Sequence, residues 1–193
     1  MLTVAALLLP SASAGPWVKE AGEVYAKTSY SRFASRNFVQ PDGAVLEDAR
    51  FRSQTANVYA EVGLGRSVQG VLNLPYVDSR NVVDATAFGN RRFGDLQAGF
   101  EFGNLHESTP LSLQVLAKVP LYDNNRFAGL EDEAAYPALG DGQVDLTGLL
   151  ATGTGVRVGP VRGWVAGELG YRHRTEIFLG DSSSPERRYV DGL

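Results

Sequence analysis

Eight residues of this chain have the types and spacing to line a polar interior: Lys27, Glu61, Asn73, Glu101, Lys118, Asp145, Glu168 and Arg172. Each sits on the polar side of a segment in which apolar and polar residues alternate. Side chains along a strand point to opposite faces in turn, so each would stand opposite a row of apolar neighbours. Two kinds of chemistry fit such a set. The charges either set the selectivity of a path for a solute, or pair with one another because an unpaired buried charge is costly. Both signs occur in comparable number, which favours pairing over a pore lined by one sign.

Covalent chemistry is thinly provided. His106 and His173 are the only histidines, and His173 lies close in sequence to Asp181, Ser182 and Ser183. No Gly-x-Ser-x-Gly elbow presents a nucleophile, and the chain is not expected to be an enzyme. There are no cysteines, which excludes a disulfide framework, a thiol nucleophile and a Cys-ligated metal. Asp123, Glu131, Asp132, Glu133 and Asp141 share one acidic stretch but lack the spacing of a calcium loop. No cofactor or metal is expected. A net charge of −4 without a basic run argues against nucleic acid as a partner.

The elements that position the eight residues are short alternating segments at 23–33, 51–63, 68–77, 95–102, 111–120, 143–152 and 161–173. The clearest is 111–120, where Leu111, Leu113, Val115, Ala117 and Val119 share one face and Ser112, Gln114 and Lys118 the other. About ten residues is the length of a tilted strand crossing a membrane. The connections alternate too. Those at 64–67, 103–110 and 153–160 are brief and carry turn chemistry, while 34–50, 78–94, 121–142 and 174–188 are long. Short turns at one end and long loops at the other are the pattern of an outer-membrane barrel.

Alternation alone does not separate such a barrel from a water-soluble one with its apolar face inside. The loop asymmetry favours the membrane form, as do the aliphatic faces. So do Tyr30, Phe33, Tyr76, Phe102, Tyr122 and Tyr171, which gather near segment ends where an aromatic girdle would lie. Trp17 would anchor at the periplasmic interface, and Phe127 and Tyr136 would meet a ligand or fold inward as a plug. No run of 18 apolar residues offers a transmembrane helix.

Residues 1–14 read as a cleaved signal peptide: an apolar run from Leu2 to Leu9, a break at Pro10, and Ala12-Ser13-Ala14 before Gly15. Residues 15–193 then form the barrel. An eighth segment only begins at 186–190, and closing a bacterial barrel takes an even number of strands. The expectation is therefore a barrel incomplete at its C-terminus.

Several segments, taken in order, carry a family resemblance. Gly15-Pro16-Trp17-Val18-Lys19-Glu20-Ala21-Gly22-Glu23-Val24-Tyr25 resembles the mature start of outer-membrane barrels of the XagA-like and "MetA-pathway of phenol degradation" transporter group. Leu72-Asn73-Leu74-Pro75-Tyr76-Val77, Gly94-Asp95-Leu96 and Lys118-Val119-Pro120-Leu121 are similar to strand ends and starts of that group. So are Leu139-Gly140-Asp141-Gly142-Gln143-Val144-Asp145 and Glu168-Leu169-Gly170-Tyr171-Arg172-His173-Arg174. The resemblance implies a Gram-negative outer-membrane protein, a small-molecule or hydrophobic-compound channel.

The expectation is thus an all-β, antiparallel, up-and-down transmembrane β-barrel in the cell outer membrane. Its partners would be outer-membrane lipid and a small solute, and its work passive passage. Two other functions stay open: a surface structural or adhesion barrel with a plugged lumen, and a soluble periplasmic ligand-binding barrel.

Overall fold

The structure is a computed structural model that describes residues 16–36, 38–39, 45–46, 50–83, 85–106 and 109–179. The expected signal peptide at 1–14, the segment at 186–190, and Asp181, Ser182 and Ser183 lie outside the described residues. Among the described residues there are ten strands: β1 (Val24–Ser35), β2 (Phe38–Val39), β3 (Val45–Leu46), β4 (Arg50–Gly63), β5 (Val68–Val83), β6 (Thr86–Phe93), β7 (Asp95–Phe102), β8 (Leu111–Pro120), β9 (Gln143–Val158) and β10 (Val161–Phe178). Apart from the small β2–β3 hairpin, they form one antiparallel sheet in the order β1-β4-β5-β7-β8-β9-β10, with β6 on the far half of β5. The sheet is curled into a half-barrel.

The curl has a definite sidedness. Glu61, Glu101 and Lys118 are 5%, 1% and 8% exposed, whereas Val58, Phe100 and Val115 are 46%, 51% and 45% exposed. Gln69, Ser112, Gln114 and Asp145 are buried with the first three, and Leu113, Leu146 and Leu150 face outward with the second. A water-soluble barrel would reverse this, because burying apolar surface is what holds such a fold together. Here the concave side is polar and the convex side apolar.

Three connections differ from expectation. Residues 78–94 are not a loop: β5 runs on to Val83 and returns as β6, with Val83 opposite Thr86. Ala85 at φ 66° supplies the left-handed backbone that so tight a turn needs. Residues 153–160 are mostly strand, leaving only Gly159 (φ 60°) and Pro160 between paired Val158 and Val161. β10 likewise continues to Phe178, into the stretch expected as loop. Between β6 and β7, Gly94 interrupts the pairing and its N–H donates to the Pro75 carbonyl at 2.8 Å.

Candidate functional site

Strand register brings the interior residues into rows. Lys27 lies opposite Tyr59, Tyr59 opposite Asn73, Asn73 opposite Gln97, Gln97 opposite Lys118, and Lys118 opposite Asp145. Six neighbouring strands thus present one polar row to the concave side. Nearer the short turns, Gln69 is opposite Glu101 and Glu101 opposite Gln114. These neighbours bond directly: Gln69 Nε2 donates to Glu101 Oε2 at 2.8 Å and Gln114 Nε2 to the same oxygen at 3.3 Å. Tyr59 donates to Glu61 Oε1 at 2.7 Å, and Asn57 Nδ2 to Asn73 Oδ1 at 2.6 Å.

Between the rows lies a cavity of about 320 Å³ lined by Tyr59, Val71, Asn73, Gln97, Gln114 and Leu116. Its wall is thus one phenol, three carboxamides and two aliphatic side chains, with no charged group.

Both ends of this chamber are covered by the chain itself. At the short-turn end, residues 16–20 cross as a strap. Trp17 packs edge-on against Trp164 of β10 with ring centroids 6.3 Å apart. Gly153 of β9 leaves the room that Pro16 and Trp17 occupy, and Gly103 after β7 does the same for Val18. The Lys19 N–H donates to Gln69 Oε1 at 2.8 Å on β5, and its Nζ lies 3.5 Å from Glu61 Oε2 on β4. The Glu20 backbone lies against Gly63, where any side chain would collide with it. In five residues the strap passes from β10 to β4.

At the other end, residues 121–142 fold inward over the concave face of the β5–β6 extension. Tyr136 stacks on Phe127 at 3.9 Å and meets Phe88 of β6 edge-on at 5.3 Å. Asn81 Nδ2 donates to the Ala135 carbonyl at 2.8 Å and Asn90 Nδ2 to the Pro137 carbonyl at 3.0 Å. Lys118 Nζ holds the loop's return, 2.7 Å from Asp141 Oδ1 and 2.9 Å from Asp145 Oδ2. Arg174 adds a contact to Asp141 at 3.3 Å. Burial pushes the Asp141 carboxyl up, but the bonds from Lys118 and the Gln143 N–H and the nearby cations outweigh it. The group is held below the usual carboxylate range.

Tyr122, expected in an outer aromatic girdle, is buried instead. Its hydroxyl donates to Asp95 Oδ1 at 2.9 Å and accepts from the Gly142 N–H at 3.0 Å. Those partners exist only inside, so the ring follows them. Burial first, and then the charge of Asp95, raise its phenol above the ordinary value. Trp17, the expected interface anchor, packs on Trp164 and stays 45% exposed.

Of the eight sequence candidates, Glu61, Glu101, Lys118 and Asp145 are buried on the concave side. Lys27 and Asn73 are half-buried in the central row. Glu168 and Arg172 fall opposite Ala151 and Thr147 but are exposed, since β10 has no partner on its other edge among the described residues. His106 and His173 are both exposed. Gln69, Gln97 and Gln114 also line the interior but are not among the eight candidates, although their alternation places them on the polar faces. The strap left no pattern beyond the small residues that receive it. Compared with known proteins, the chain matches no protein-family model and no curated protein.

Proposed function

We propose that this chain is a β-barrel of the Gram-negative outer membrane that gives a small solute passive passage, with no covalent step. One observation carries the reading: Val58, Phe100 and Val115 face outward while Glu61, Glu101 and Lys118 are enclosed. An apolar convex surface of this extent is stable against hydrocarbon and is a liability in water. The length of β8 and the long connection 121–142 at the end opposite the short turns support it, as does the resemblance to the XagA-like group.

The strap and the folded loop favour a second reading, a closed barrel whose outer loops bind a partner at the cell surface. The two readings separate in liposomes. Reconstituted protein should admit a small neutral sugar, and removal of residues 124–138 should speed entry severalfold. Equal and negligible swelling in both proteins would leave the closed surface barrel standing. The membrane assignment is read separately, from extraction that requires detergent and a heat-modifiable shift on a gel. Release into buffer without detergent sinks it.

A further inference from the structure

We infer that the convex face at the loop end of the sheet binds a phosphorylated membrane lipid, with Arg32, Arg52 and Arg80 on its phosphate groups. This rests on the proposed outer-membrane reading and adds a lipid site to it. Register sets the site in rows across β1, β4, β5 and β6. Tyr30, Ala56, Tyr76 and Phe93 form the first, with Tyr76 and Phe93 edge-on at 5.3 Å. Exposed rings in one row of an apolar outer face mark the level where hydrocarbon gives way to head groups. The next row outward is Arg32, Gln54, Asp78 and Arg91, and the one beyond is Ala34, Arg52, Arg80 and Gly89. Successive rows are about 7 Å apart, so the exposed arginines stand at head-group level.

These rows are basic without internal balance. Arg91 Nη2 lies 2.6 Å from Asp78 Oδ2, and no described acid pairs with Arg32, Arg52 or Arg80. Arg52 lies directly opposite Arg80, and like charges so placed repel. Arg80 leans toward β6, its Nε 3.9 Å from the place a Cβ on Gly89 would take, which sets it over the outer face. A phosphate between Arg52 and Arg80 turns the repulsion into two attractions, and each planar fork meets two phosphate oxygens. Below the aromatic row the sheet offers room for a tail. Ala60, Gly70 and Ala98, being small, leave an open groove of about 430 Å³ beside Val62, Leu72 and Phe100. Leu72 is four residues from Tyr76, about 13 Å, inside one leaflet's share of hydrocarbon, about 15 Å. Arginines above and a groove below select a lipid over free phosphate.

The test uses the purified full chain in uncharged detergent micelles, with binding read by native mass spectrometry. The probes are lipid A, an acylated disaccharide with two phosphates, the same lipid dephosphorylated, and inorganic phosphate. Lipid A should bind about tenfold or more tighter than its dephosphorylated form, with inorganic phosphate weakest. Arg52→Gln combined with Arg80→Gln should bring lipid A down to the dephosphorylated level. Lysine at both positions should keep a preference for phosphate, and Arg157→Gln, at the short-turn end of β9, should change nothing. Equal binding of the two lipids by the unaltered chain overturns the inference. So does a loss in Arg157→Gln as large as in the double variant, or inorganic phosphate binding as tightly as lipid A. A heat-modifiable gel shift on the same samples shows that each variant is folded and scores the membrane barrel separately. With that shift present and the two lipids equal, only the lipid site falls.

Discussion

Trp17 meets Trp164 edge-on at 6.3 Å, joining the segment before the first strand to the last described strand. Edge-to-face geometry places the positive rim of one ring against the negative face of the other, worth about 0.5–1.5 kcal/mol beyond the area buried. This contact fixes one end of the strap, and Lys19 with Gln69 and Glu61 fixes the other.

The strap should therefore loosen when the indole is removed. Because the chain has no cysteine, Val18→Cys is a unique reporter. Trp164→Ala should speed thiol labelling at that position about two- to tenfold, the range the aromatic contact supports. Trp164→Phe should restore slow labelling. An unchanged rate in the alanine variant means the ring pair does not hold the strap.

Lys118 carries a different load. Its ammonium meets Asp145, which is fully buried, as a charge rather than through an aligned hydrogen bond. Lys118→Met keeps the volume and leaves that carboxylate without a cation. The expected loss is about 3–5 kcal/mol, measured by denaturant unfolding in micelles. Adding Asp145→Asn should recover most of it, because the charge that needed a partner is then gone.

Docking of residues 121–142 should depend on pH at both extremes. The folded pKa of Asp141 is depressed, so its contribution is present above the ordinary aspartate value of about 3.9 and is lost as pH falls through the folded value. The folded pKa of Tyr122 is raised, so its contribution is present below about 10 and is lost as pH rises through the folded value. A fluorescent label on Ala134→Cys should report a docked loop between these limits and release outside them. In Asp141→Asn the acid limb should disappear while the alkaline limb persists.

The strand faces were legible from residue type alone. The alternation in 111–120 and 95–102 matches β8 and β7 end to end, because a period of two survives any tertiary context that leaves one side of the sheet apolar. The β5–β6 hairpin was not legible. In the sequence, Asp84-Ala85 joins Val83 to Thr86 without the glycine or asparagine that normally marks a two-residue hairpin, so the stretch read as a loop. Tyr122 was misplaced for a related reason. A tyrosine near a strand end suits an interface or an interior equally, and the choice fell to Asp95 and the Gly142 N–H.

By itself the sequence determined the antiparallel strands, their two faces and the polar residues that share one of them, since these follow from local backbone geometry. Only the tertiary structure decided which face is enclosed, that Gln69 and Gln114 converge on one oxygen of Glu101, and that a strap and a folded loop cover the ends of the chamber. Each of these depends on residues far apart in the chain, such as Trp17 and Trp164 or Lys19 and Gln69. No local pattern encodes such a meeting, because it exists only once the sheet has curled.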